Sequence, residues 1–338
     1  MARICIVPAV EGIGGMASFR AKFEAGMRRR GIALTNDADQ ARDAILIIGG
    51  TRRLLPLWLA RRRGVRIVQR LDGINWIHRK RNTGPRHYVR AEYGNLMLSL
   101  IRSRIATRVV YQSEFAHRWW NEWYGDRGET WSVVHNGVDL ELYRPQGIES
   151  LPADRCRLLV VEGSLGGGYD MGLENAAGLA ENLGNQHGFG TELMVVGKIG
   201  DRQRAAAQAR AHVPITFAGA LPPEQIPEMD RSAHLLFSAD LNPACPNSVI
   251  EALACGTPVV GFDTGALREL VPETAGKIVP YGADPWKVER PDISALAAAA
   301  AGVLRERPRY SRGARTHAEA SLGLDKMMEG YLQALLEA

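Results

Sequence analysis

No stretch of the 338 residues is apolar for long enough to cross a bilayer as a helix, so a helical membrane-spanning architecture is excluded. Cysteine is scarce. The four (Cys5, Cys156, Cys245 and Cys255) are scattered, without the paired spacing of a zinc site, and at least three sit in or beside apolar stretches. Reduced thiols of a cytoplasmic chain are expected, rather than disulfides or bound metal. Met1-Ala2-Arg3-Ile4 runs straight into a strand-like segment, so no signal peptide is expected. Internal repeats and low-complexity tracts are absent. So is any convincing Ser/His/Asp set or carboxylate pair, which directs attention to chemistry done by positioning and by stabilising charge.

What is present describes a globular protein. Hydrophobic residues make up 46% and charged residues 23%, and the length exceeds what one core normally serves, so two domains are expected. The net charge of +5 is unevenly shared, with +11 on residues 1–150 and −6 on residues 151–338. Arginines of the first half cluster at Arg28-Arg29-Arg30, Arg61-Arg62-Arg63 and Arg79-Lys80-Arg81. Such runs are either solvated helix faces or the footprint of an anionic partner: an acidic acceptor or the inner face of a membrane contacted peripherally.

Both halves alternate short apolar strands with helical periods, the pattern of an α/β protein with parallel sheets. Strands are expected at Arg3–Pro8, Ala44–Ile48, Val65–Gln69 and Thr107–Tyr111, with helices at Ser18–Arg30 and Ser113–Trp123. A linker follows from about Arg144 to Ala153. The alternation then restarts with strands at Arg157–Val161, Leu193–Val196, Ile215–Ala218, His234–Ser238 and Pro258–Gly261, and a helix at Met171–Leu183. The expected division is therefore 1–150 and 151–322, two doubly wound domains facing a cleft, with ligands at the carboxyl ends of the strands.

The most informative segment runs from Pro246 to Val260. Pro246 and Asn247 make a turn and Ser248 opens a short helix, whose first amides lack intrahelical partners and attract a phosphate. Glu251 lies three residues on, sharing a helix face with Ser248. A carboxylate there suits a vicinal diol, so phosphate and ribose would be held side by side.

Glu251-Ala252 with Ala254-Cys255-Gly256-Thr257-Pro258-Val259-Val260 resembles the donor-binding signature of retaining glycosyltransferases of the GT-B fold, family 4. That signature carries an earlier Glu, and Pro243 stands in its place here. Val68-Gln69-Arg70-Leu71-Asp72-Gly73, Tyr111-Gln112-Ser113-Glu114-Phe115, Asn136-Gly137-Val138-Asp139 and Phe217-Ala218-Gly219-Ala220-Leu221 are similar to the family's successive landmarks. Leu324–Leu336 is similar to its final helix, so residues 323–338 are expected to cross back to the first domain.

The resemblance implies a GT-B fold of two Rossmann-like domains and a metal-independent, retaining transfer of a sugar from a nucleotide sugar. The acceptor would be a glycan, a lipid-linked compound or a small molecule, carbohydrate or anionic in character. Neither nucleic acid nor a cofactor is expected. Glu251 would hold the ribose, with Asn247, Ser248 and Val249 beside the phosphates and sugar. Gly163, Ser164, Gly166, Gly167, Gly168 and Lys198 would face the diphosphate. Ser164 replaces an Arg of the family there, and the family's Lys near the following helix is missing. Ala220 and Leu221 would offer backbone to the base, and Gly14, Gly15 and Asp72 would complete the site from the first domain. Asp72, Lys198 and Glu251 are the side chains expected nearest the reaction.

Other motifs stay open. Gly12-Ile13-Gly14-Gly15-Met16-Ala17 fits a dinucleotide fingerprint, with Asp37 twenty residues on, as well as the family's glycine-rich loop. Asp37-Ala38-Asp39 spells a metal-binding DxD but reads as a polar loop away from the important strand ends. Asp72 is an acceptor-side residue or an ordinary Asp-Gly turn. His78 and His87 are expected to be solvated or to face an acceptor, His135 to pack, and Trp119, Trp120 and Trp123 to belong to the core. A non-catalytic nucleotide-sugar binder, or an epimerase on the same fold, are the alternatives to a transferase.

Overall fold

The computed structural model describes residues 2–9, 14–40, 43–148, 150–166 and 170–337. The chain forms two compact units, Met1–Gly137 with Leu324–Ala338, and Val138–Gly323. Residues 138–150, counted with the first half on sequence, pack within the second unit; the Val138 amide donates to the Leu322 carbonyl there.

The first unit is a six-stranded parallel sheet. Its strands are β1 (Arg3–Val7), β2 (Ala33–Thr35), β3 (Ala44–Ile48), β4 (Arg66–Leu71), β5 (Arg108–Tyr111) and β6 (Thr130–Val133), in the order β2-β1-β3-β4-β5-β6. Its helices are α1 (Gly15–Arg29), α2 (Leu54–Arg62), α3 (Pro85–Leu100) and α4 (Glu114–Tyr124). Strand periodicity divides the core in two. Ile4, Ile6, Ala44 and Leu46 face one layer with Phe19 and Phe23 of α1, while Cys5, Ile45 and Ile47 face the other with Leu57 and Ala60 of α2. β3 is buried along its whole length, as a central strand covered on both faces must be. Ser113 caps α4 by accepting the Ala116 amide, and Trp119 and Trp120 are buried, as their spacing suggests. α3 is an element the sequence reading passed over, because Gly84-Pro85 looks like a break. Pro85 instead occupies the first turn, where a missing N–H costs nothing.

The second unit repeats the plan with β7 (Cys156–Ser164), β8 (Thr191–Lys198), β9 (Ile215–Gly219), β10 (Leu235–Phe237), β11 (Val259–Phe262) and β12 (Gly276–Val279). All pairings are parallel, in the order β12-β11-β10-β7-β8-β9. Around the sheet lie α5 (Met171–His187), α6 (Asp201–Arg210), α7 (Ile226–Arg231), α8 (Asn247–Ala254), α9 (Leu267–Leu270), α10 (Ile293–Arg305) and α11 (Arg307–Ser321). Leu158, Val160, Leu193 and Val195 pack against α5 and the alanine-rich face of α10. The last helix, α12 (Leu324–Leu336), belongs to the first unit, where Tyr331 sits 5.1 Å from the Phe19 ring and 5.6 Å from that of Phe23.

Both sheets are doubly wound. The chain reverses direction across the sheet between β1 and β3 in the first unit and between β7 and β10 in the second. The carboxyl ends of strands at such a reversal are left uncovered by the crossover helices, which is why ligands gather there.

Candidate functional site

In the second unit the helix anticipated near Ser248 is α8, and it begins one residue earlier, after Pro246, whose side chain offers no cap. Asn247, Ser248 and Val249 form its first turn, the end of a helix whose amides look outward. Val249 is fully buried, so only its backbone is available to a ligand. Ser248 and Glu251 are each 9% exposed, on the same helix face. Glu251 sits in an unusual neighbourhood. Asp230 of α7 is fully buried with neither carboxylate oxygen hydrogen-bonded, and burial, then the Glu251 charge, pushes its pKa well up. Tyr143 is also buried; its hydroxyl donates to the Pro223 carbonyl at 3.1 Å, and burial followed by the Glu251 and Asp230 carboxylates holds it strongly protonated. Arg315 of α11 donates to the carbonyls of Tyr143 and Ala254, both at 2.8 Å, and so ties the Tyr143 segment to the end of α8.

Ser164 and Lys198 are brought together by strand pairing. Ser164 is the last residue of β7 rather than part of the loop, and it lies in register with Lys198 at the end of β8. Lys198 is exposed, and its ammonium makes no ion pair among the described residues, leaving it available to an anion. The backbone amide of Gly166 points to the Ser164 hydroxyl at 3.4 Å, a loose turn of the kind glycine favours. Gly163 is exposed with open space beside it. Gly167 and Gly168 lie outside the described residues. Ala220 is exposed and Leu221 half-buried, directly after β9 and Gly219, whose φ of +75° turns the chain.

Two residues at the reversal point escaped the sequence reading. Glu162 near the end of β7 and Asp240 just after β10 are on neighbouring strands, and the Asp240 charge raises the cost of ionising Glu162. Burial pushes Asp240 up to about 6 and Glu162 well above the usual carboxylate range, the latter also by repulsion from Asp240 and against stabilising amides of Asp240 and Ala239. Their separation in sequence hid them; only the strand order makes them neighbours.

In the first unit the ends of β1, β3 and β4 open into a cavity of about 1030 Å³. Asp72, half-buried after β4, is in its wall, with its carboxyl pushed up by burial and partly held down by Arg70. The Trp120 indole donates to the Asp72 carbonyl at 2.8 Å, so the turn is anchored from α4. Gly14 and Gly15 start α1 and are exposed, with Gly14 at φ +138°; Val10 to Ile13, including Gly12 of the same loop, lie outside the described residues.

Two expectations need correcting. Asp37 and Asp39 were placed away from the strand ends, yet both line this cavity, because β2 packs directly beside β1. Asp37 is used locally, accepting from the Asp39 amide at 3.0 Å and the Gln40 side chain at 3.1 Å, and no group of potential metal ligands forms among the described residues. His78 is buried rather than solvated and contacts Glu92 at 2.8 Å, while His87 meets the Thr83 hydroxyl at 2.8 Å.

Comparison with known proteins agrees with this architecture. Residues 158–306 match the family described as Glycosyl transferases group 1. A 113-residue stretch is 29% identical to the 2-deoxystreptamine N-acetyl-D-glucosaminyltransferase of Streptomyces fradiae; the match spans 33% of this chain and 25% of that enzyme. Among solved structures, Anabaena Alr3699/HepE in complex with UDP and glucose superposes with a TM-score of 0.70 at 14% identity, covering 99% of both chains. Sucrose-phosphate synthase from Thermosynechococcus elongatus gives 0.66 at 18% identity, covering 96% of this chain and 80% of that one. At these identities the structural likeness establishes the fold.

Proposed function

Taking as premise that the chain belongs to the group 1 glycosyl transferases on a GT-B fold, we propose that it transfers a sugar from a nucleotide-sugar donor bound by the second unit. The observation that carries this is α8: a first turn that Pro246 leaves without a side-chain cap and, one turn along the same face, a buried glutamate beside Asp230, whose carboxyl is pushed well up by burial. The amides suit phosphate and Glu251 suits the ribose hydroxyls. Lys198 and Ser164, paired at the ends of β8 and β7, would neutralise the diphosphate, and the backbone of Ala220 and Leu221 would meet the base. A relative in fold is described in complex with UDP and glucose, which favours a uridine nucleotide as the first donor to try. The first unit, with Asp72 in its cavity, would take the acceptor.

The transfer is proposed to retain anomeric configuration and to need no metal. Supporting the second point, the exposed Lys198 at the end of β8 supplies a cation where a metal would otherwise be wanted. Calorimetric titration with UDP-, GDP- and ADP-sugars tests the donor reading. Glu251→Ala should weaken the preferred donor about a hundredfold, since two hydroxyls lose a charged acceptor; an unchanged dissociation constant would sink the assignment. Transfer should survive EDTA, and NMR of the product should show the donor's configuration. A protein that binds donor tightly yet transfers no sugar would instead be a nucleotide-sugar binder, a reading favoured by Pro243 and Ser164 standing where the family carries charged residues.

A further inference from the structure

On the first unit α2 packs against the helical turn Ile101–Ile105 that continues α3. The Arg52 guanidinium, just ahead of α2, lies 5.8 Å from the centre of the Tyr93 ring on α3, and Arg61 donates to the Arg104 carbonyl just beyond α3. Both helices leave large apolar side chains in solvent. On α2 these are Leu55, Trp58 and Leu59; on α3 they are Val89, Tyr93, Leu96 and Leu100, at the spacing of one helix face. They make up seven of the thirteen exposed large hydrophobic residues among those described, and Leu55, Val89 and Leu96 are each more than 60% exposed. Scattered exposed leucines are ordinary; a concentration of this kind on two adjoining helices is not.

Within the two helices the charge is nearly all positive, and of the acids beside α2, Asp39 lies 3.5 Å from Arg63. α2 contains no acidic residue, and the one acid of α3, Glu92, is held by Arg79 at 2.5 Å and His78 at 2.8 Å. Arg52, Arg53 and Arg62 flank the α2 side, Arg86 and Arg90 the α3 side, and all five are exposed. Arg62 lies 4.5 Å from the Trp58 ring centre, an arrangement in which the aromatic body and the cation reach the same depth. A second copy of this chain would set these guanidiniums against themselves, and a protein partner would have to bring both acids and an apolar surface. Lipid headgroups over acyl chains supply both at once.

We propose that the α2–α3 face docks the protein on an anionic phospholipid surface. The aliphatic side chains enter the acyl boundary, and Trp58, Tyr93 and the arginines sit at headgroup level. Of the three arginine runs, only the one in α2 belongs to this face. Arg28 and Arg30 are paired with Glu24 and Asp325, and Arg79 with Glu92. Arg90 and Tyr93 also line the cavity of the first unit, so the docking face adjoins the place proposed for the acceptor.

Co-sedimentation of the whole chain with phosphatidylcholine vesicles, with and without phosphatidylglycerol, tests the proposal. Binding is expected only with the anionic lipid, and weaker in high salt. The exposed double variant Leu59→Ser/Leu96→Ser should lower partitioning about tenfold or more at any salt, and Arg62→Ser/Arg86→Ser about tenfold at low salt only. Calorimetry with the nucleotide sugar should be unchanged in both, showing that fold and donor site are intact; loss of donor binding in the wild type would count against the transferase reading alone. Wild-type protein that stays in the supernatant with every vesicle, or sediments equally with neutral lipid, overturns the proposal. So would a dimer by light scattering that Leu59→Ser/Leu96→Ser dissolves, since the face would then belong to a second copy.

Discussion

At the reversal point of the first sheet the ends of β1 and β3 border a cavity of about 1030 Å³, walled by exposed arginines and by Asp37, Asp39 and Asp72. At the reversal point of the second, the ends of β7 and β10 carry Glu162 and Asp240, both pushed up by burial, and α8 adds Glu251 near Asp230, whose carboxyl burial also pushes well up. One topology thus serves two ends. The first unit presents exposed charges of both signs, whereas the acids of the second are buried, where electrostatic interactions are strongest.

Glycine geometry gives the sharpest way to test that contrast. Gly197 (φ +141°) and Gly14 (φ +138°) have nearly the same backbone, but a Cβ on Gly197 would lie 1.9 Å from the Glu162 carbonyl oxygen, while one on Gly14 meets nothing within 4 Å. Gly197→Ala should therefore destabilise by more than about 3 kcal/mol by forcing β7 and β8 apart, and Gly14→Ala by about 1 kcal/mol from backbone conformation alone. Equal denaturant midpoints would mean that the second sheet's edge is as loose as the first's.

Donor affinity should follow the same division. If the second unit alone holds the nucleotide, Asp72→Asn should shift the donor dissociation constant less than about twofold, against the hundredfold loss for Glu251→Ala. Comparable losses in the two variants would break the assignment of donor and acceptor to separate units.

Stability should respond to pH with opposite sign in the two units. Asp240, pushed up to about 6, binds its proton more tightly in the native state, so its contribution is fullest below the ordinary carboxylate range and is lost as pH rises through about 6. Asp240→Asn should remove roughly 2 kcal/mol of that loss, read by calorimetry between about pH 4 and pH 7. Glu92 in the first unit is pulled down to about 2, chiefly by its hydrogen bond to Arg79. Its contribution is present above the ordinary range and is lost as pH falls toward 2. Because the pair is partly exposed, Glu92→Gln should cost less than about 1 kcal/mol. Tryptophan fluorescence isolates this effect, since six of the seven tryptophans lie in the first unit.

Much of the molecule could be read along the chain. Strand and helix periods located most of both sheets, the period of Ser113–Trp123 announced α4, and the boundaries of α12 coincide with Leu324–Leu336. α8 and its Glu251 were legible because both halves of that site lie within one turn of helix. The elements that escaped have particular causes. β2 is three residues long, too short for alternation to register. α3 was hidden by its starting proline, and with it went the apolar face of Val89, Tyr93, Leu96 and Leu100. His78 looked solvated because it sits between basic residues, whereas its partner Glu92 comes a helix later.

By itself, then, the sequence determined the α/β class, the order of the elements and the one site whose residues are neighbours in the chain. Tertiary structure decided the rest. It brought Asp37 and Asp39 beside Asp72, Glu162 beside Asp240, Ser164 beside Lys198, and Tyr143 and Asp230 around Glu251. The reason is physical. Periodicity and capping are set by residues a few positions apart, but which strand pairs with which is decided by the packing of whole layers. Protonation is decided later still, by how much water that packing removes.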